Sequence, residues 1–207
     1  MIKDYMSPEE IERKSFQIIK EKLEHLQVSD DEREIITRVA HATADIKFAQ
    51  SLIFHPQAIK AGVFAIKSGR NIITDVEMVK AGIRAKQLSK FGGKVICLLN
   101  DSKVVQVARK NKTTRASVSI RKAIPFMKEG IVAIGNAPTA LFELCKLIEE
   151  KKVKPALIVG IPVGFVGAEE SKKKLCKLSV PFITNEGAKG GSAVAASIIN
   201  ALIKLTP

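Results

Sequence analysis

Ile131-Val132-Ala133-Ile134-Gly135-Asn136-Ala137-Pro138-Thr139-Ala140-Leu141 reads as a buried strand passing through a tight turn into a helix. Four successive apolar residues without polar alternation suit a strand covered on both faces. Pro138 fits the first turn of a helix, where its missing N–H costs nothing and its fixed φ is already helical. A helical pattern then continues to Lys151. Working outward, residues 71–74, 94–99, 156–161 and 181–184 give further short apolar runs, separated by helical patterns over 77–85, 103–111, 115–128, 169–178 and 193–205. Strands alternating with helices predict an α/β fold, a mostly parallel sheet covered by helices on both faces. Upstream, Ser7-Pro8-Glu9-Glu10 opens a helix through about Lys22, with Ile11, Phe16, Ile18, Ile19 and Leu23 as its apolar side. A second helix runs from Asp30-Asp31 past His41, and a third follows His55-Pro56 and ends at Ser68-Gly69. Without repeats, low-complexity segments or linkers, residues 1–207 are expected to form a single domain.

Composition narrows the function classes. The 207 residues include 34 Lys+Arg against 21 Asp+Glu, a formal charge of +13 and a pI near 9.7. With 46% apolar and 27% charged residues, a packed core is available and wholesale disorder is excluded. No stretch reaches the roughly 20 apolar residues needed to cross a bilayer. The first ten residues lack an apolar signal core, so a cytoplasmic protein is expected. Cys97, Cys145 and Cys176 are odd in number and far apart, which argues for buried thiols rather than disulfides or a metal site. The basic residues are dispersed, and the densest run, Lys172-Lys173-Lys174, reads as solvated charge on a surface helix. No Trp and one Tyr leave no stacking platform for nucleic acid, so a polyanionic small molecule is the partner that the charge best suits.

Ligands of parallel sheets sit beyond the carboxyl ends of the strands. That rule selects Thr74-Asp75, Asn100-Asp101, Gly135-Asn136 and the segments 162–167 and 185–192. The turns at 135–139 and 187–192, the second bearing Lys189, either hold an anion on free N–H groups or are plain loop-to-helix turns. Asp75 and Glu77 either position a substrate or cap the next helix. Arg115, after Thr113-Thr114, is either a fork for a carboxylate or an exposed helix arginine. On the second helix, Ile35, Val39, Ala42 and Ile46 form an apolar stripe whose edge carries Arg38, His41 and Asp45. A histidine there is either structural or able to present its imidazole to an adjoining cavity; His25 and His55 have no suggestive partner.

These residues resemble a known family. The blocks 12–19, 38–43 (Arg-Val-Ala-His-Ala-Thr) and 74–79 (Thr-Asp-Val-Glu-Met-Val), Thr114-Arg115, 135–141 (Gly-Asn-Ala-Pro-Thr-Ala-Leu), 162–172 and Lys189-Gly190-Gly191-Ser192 follow the order of the precorrin-8X methylmutases, also called precorrin isomerases, of cobalamin biosynthesis. The resemblance spans nearly the whole chain and implies an isomerase that moves a ring C methyl group of precorrin-8, or its cobalt form, from C11 to C12, giving hydrogenobyrinate or cobyrinate. It implies His41 as proton donor and acceptor in a 1,5-sigmatropic shift, with Ser15, Arg38 and Arg115 as substrate contacts. No cofactor or resident metal is implied. The partners implied are a polycarboxylate corrinoid, a second copy in a homodimer with sites near the subunit interface, and possible product hand-off to the next enzyme. Neither nucleic acid nor membrane is expected. A non-catalytic corrinoid carrier is the alternative. Two positions depart from the family's usual pattern: Ala44, where many members have Gly, and Ala116, where Ser is more frequent.

Overall fold

The run Ile131–Ile134 is the strand β4, and all four of its residues are buried. Ile131 and Ala133 pack into one apolar core while Val132 and Ile134 pack into another, so the period of two splits a continuous apolar run between opposite faces. In the computed structural model, which describes residues 6–207, β4 belongs to a six-stranded sheet. The signal-free reading of residues 1–5 lies outside the described residues. The other strands are β1 (Leu52–Phe54), β2 (Ile72–Thr74), β3 (Val95–Cys97), β5 (Leu157–Gly160) and β6 (Phe182–Asn185), in the order β1-β6-β5-β4-β2-β3. Every pairing is parallel except that of β1 with β6, where Leu52 faces Asn185.

The helices are α1 (Pro8–Leu23), α2 (Asp30–Thr43), α3 (Ile46–Gln50), α4 (Ala58–Lys67), α5 (Glu77–Gly82), α6 (Ala85–Leu88), α7 (Ser102–Lys110), α8 (Arg115–Lys122), α9 (Pro138–Glu149), α10 (Ala168–Leu175) and α11 (Ser192–Leu205). One sheet face is covered by a layer containing α1, α2, α4, α5 and α11, with Ile35, Ile66, Val79 and Leu202 in its core. The opposite face is covered by α8, α9 and α10, through Ile120, Leu141, Leu144 and Leu175. The chain is therefore a single α/β domain of the predicted class.

Several local expectations need correction. The segment 77–85 breaks after Gly82, which lies so close to α11 that a Cβ there would meet Ala196 Cβ at 2.7 Å. The segment 115–128 stops at Lys122, and Pro125 sits in the 3₁₀ turn that follows. Ile11 and Ile18 are exposed, leaving Ile19 and Leu23 to anchor α1. Ala42 is exposed and Ile46 belongs to α3, so the buried stripe of α2 is Ile35, Ile36, Val39 and Ala40. Cys145 is buried as expected, whereas Cys97 is half-buried and Cys176 exposed. Lys172 is 2% exposed, not a solvated charge.

Candidate functional site

Two capping boxes start the helices that build the site: Ser7 with Glu10 on α1, and Ser29 with Glu32 on α2. Arg33 then fastens α2 to the end of α1, donating to the carbonyls of Leu23 at 2.6 Å and Leu26 at 2.7 Å. This clamp sets Ser15 and Phe16 of α1 against the last turns of α2. Ser15 Oγ lies 3.0 Å from His41 Nδ1, and the Phe16 ring stacks on the imidazole at 4.7 Å with 19° between planes. The Arg38 guanidinium lies 4.5 Å from the centre of the same Phe16 ring. Sequence reading treated Phe16 as a core residue, but here it is the surface on which the His41 imidazole and the Arg38 guanidinium both rest. Ser15, Arg38 and His41 are thus brought together around one aromatic ring.

The charges around Arg38 form a chain. Its guanidinium reaches Glu12 at 3.6 Å and Glu34 at 3.4 Å, and Glu34 also accepts from Lys204 of α11 at 2.7 Å. Burial pushes the Glu34 carboxyl up, but Lys204 and Arg38 together hold it below the ordinary glutamate range. Glu34 therefore remains ionised near neutrality and orients Arg38 through the helix's i, i+4 spacing. With Ser15 at Nδ1, Nε2 is the ring nitrogen free to exchange a proton with a bound molecule. Past His41, α2 ends at Ala44 with φ 53°, a left-handed conformation that glycine adopts more easily.

Arg115 is not part of this group. It starts α8 on the opposite helical layer, exposed, with its guanidinium 3.5 Å from Asn100 Oδ1. Thr114 caps that helix and donates to Thr139 at the start of α9.

Asp75 proves to be neither a substrate ligand nor a cap of its own helix. Its carboxylate accepts from the N–H groups of Gly135 at 3.1 Å, Asn136 at 2.9 Å and Ala137 at 2.7 Å, and burial pushes its pKa up. The chain proceeds from β2 outward to β3 and then returns to place β4 on the other side of β2, so this turn marks the switch point of the sheet. The internal carboxylate occupies the donors that the sequence left open for an anion. In the other turn, Lys189 donates to Asp45 at 2.7 Å, just past the end of α2. Glu77 is partly exposed and lies 3.9 Å from Lys80. Beyond β5, Phe165 and Val166 project fully into solvent between Gly164 and Gly167, which have positive φ.

Among the described residues, no group of three His, Cys, Asp or Glu side chains has the arrangement to hold a metal ion. None of the described helices is long and apolar enough to cross a membrane.

Comparison with known proteins matches residues 10–205 to the precorrin-8X methylmutase family model. The chain is 48% identical over 197 residues to a cobalt-precorrin-8 methylmutase of Priestia megaterium, covering 95% of this chain and 88% of that protein. It is 39% identical to a precorrin-8X methylmutase of Pseudomonas aeruginosa, covering 93% of each. Its structure superposes on the crystal structure of a precorrin-8X methylmutase from Thermus thermophilus with a TM-score of 0.87, at 37% identity and 95% coverage of both chains.

Proposed function

The chain belongs to the precorrin-8X methylmutase family, isomerases of cobalamin biosynthesis, and from that premise we propose that it moves the ring C methyl group of precorrin-8 from C11 to C12. The observation that carries this reading is the imidazole of His41, fixed by Ser15 and Phe16 beside the Arg38 guanidinium. A conjugated macrocycle needs a proton placed and withdrawn while the methyl migrates, and an imidazole suits that exchange near neutral pH. The polycarboxylate arms of the corrinoid need cations. Arg38 supplies one at the imidazole, its direction set by Glu34. No cofactor is required by this chemistry, and any cobalt enters as part of the substrate. The cobalt form is the substrate to test first, because relatives at 44–48% identity are named for it, whereas at 36–39% identity both names occur. Appearance of the corrin chromophore on mixing substrate with protein tests the reading. Binding without conversion would favour the carrier. We place the reaction in the cytoplasm, with hand-off of product to the following enzyme as an extension of the same reading.

Replacing Arg38 or Arg115 with Met should weaken corrinoid binding, since a charge-assisted contact contributes roughly 1.5–3 kcal/mol when desolvated. Absorbance titration measures it, and unchanged affinity in both folded variants rejects the assignment. For Arg115 the arrangement is demanding: an arginine on the opposite layer reaches a ligand at His41 across the carboxyl edge of the sheet or from a second copy. A homodimer with its sites near the interface provides the second route. Light scattering at micromolar concentration should therefore give twice the 22.5 kDa chain mass, and a concentration-independent mass near 22.5 kDa refutes the dimer.

A further inference from the structure

We propose that Lys172 is a positioning residue: its buried ammonium ties down the β6 exit loop, residues 186–191, and through it orders the carboxyl edge of the sheet where the corrinoid is to bind. The inference deepens the methylmutase reading and rests on it for the identity of the ligand.

Lys172 lies on α10, and its Nζ donates to Asn185 Oδ1 at 3.1 Å and to the Lys189 carbonyl at 2.7 Å. Asn185 in turn donates through Nδ2 to the carbonyls of Glu186 at 2.6 Å and Lys189 at 2.9 Å. Two donors therefore converge on one carbonyl and fix the loop at Lys189. From that point the loop reaches three other parts of the edge. The Ala188 carbonyl accepts from Gly164 N–H at 3.1 Å, holding the β5 exit loop. Gly191 N–H donates to the Ile161 carbonyl at 3.0 Å, and Gly190 sits so close to the Ile161 and Pro162 carbonyls that a side chain would not fit. Lys189 Nζ meets Asp45, whose other oxygen caps α3 immediately beyond the helix bearing His41.

Electrostatics and packing explain why the tie must be this strong. Neutral oxygens hold the ammonium; burial lowers its pKa to about 8, opposed only by the charge of Glu169 on the same helix. A buried cation held this way costs more than an apolar side chain of equal length, so core stability does not account for it. A cavity of about 820 Å³, lined by Ile53, Cys176, Asn185, Glu186 and Gly187 among others, borders the loop. Packing cannot replace the lost bonds there.

The test is Lys172→Met, which keeps the length and removes the donors, with Asn185→Leu as a second variant that removes the other half of the tie. In native-state hydrogen exchange, the amides of Gly164 and Gly191 should lose at least tenfold protection while those of β4 keep theirs. Corrinoid KM should rise about tenfold, with kcat at saturation within threefold of wild type. Unchanged protection at both glycines, or unchanged KM, overturns the proposal. If Lys172→Met fails to fold, Asn185→Leu decides by the same measurements. A wild-type protein that neither binds nor converts the corrinoid refutes the methylmutase reading, and glycine protection then decides alone whether Lys172 orders the loop.

Discussion

Replacing His41 with Asn is expected to slow conversion of precorrin-8 by about 10²–10⁴-fold, the usual contribution of a positioned acid–base group. The migrating methyl leaves one ring carbon and joins its neighbour while the conjugated system rearranges, so a proton on the macrocycle lowers the cost of shifting electron density. Asparagine matches the imidazole roughly in size but cannot take up and release that proton. The fold should tolerate the change, because His41 is exposed and its contacts are with the side chains of Ser15 and Phe16. Binding should persist through Arg38. The measurement is the single-turnover rate at saturating substrate, followed by absorbance, with folding checked by circular dichroism. An unaltered rate in a folded, saturated variant removes His41 from the chemistry.

Asp75→Ala is expected to lower the unfolding free energy by roughly 3–5 kcal/mol, because each buried N–H left without an acceptor costs about 1–3 kcal/mol. Three N–H groups depend on this carboxylate, that of Gly135 in a buried bond and those of Asn136 and Ala137 in partly buried ones. The total falls below the full sum because the turn can relax and admit water. Gly135 limits that relaxation: it packs so tightly against α11 that a Cβ would stand 2.8 Å from Ser192 Cα. Urea unfolding measures the effect as a lower midpoint at an unchanged m-value. A loss under about 1 kcal/mol would mean that water satisfies the turn equally well.

The legible parts of the fold are those whose signal is local. Ile131–Ile134 and the run 156–161 announce buried parallel strands through unbroken apolar character, and the capping box of α1 is spelled out within four residues; the Ser29–Glu32 box of α2 is just as local but went unread. β1 is different. Leu52–Phe54 is three residues long and becomes a strand only because β6, over a hundred residues later, offers an antiparallel edge. Within the site, Arg38 and His41 share an edge of α2 that helical spacing predicts, while Ser15 entered only through the resemblance. Phe16 as a stacking surface depended on how α1 lies across α2, which the Arg33 clamp decides. Lys172 was hidden in a run of three lysines, because its burial depends on Asn185 from another element. Asp75 did leave a trace: Ala137 stands at the N-cap of α9 with no side-chain acceptor, so the turn's donors had to find one elsewhere.

The packing of α2 on α11 also has a consequence for how the protein is made. The Glu34–Lys204 pair joins positions 170 residues apart, and the apolar stripe of α2 shares a core with Ile198, Ile199 and Leu202. On the ribosome, Ile35, Ile36 and Val39 emerge well before Ile198, Ile199 and Leu202, the residues of the helix they pack on. Closing so long a loop costs entropy before its contacts repay it, so docking of α2 belongs to a late stage of folding. A nascent chain acquires its imidazole long before the helix that completes the packing of α2.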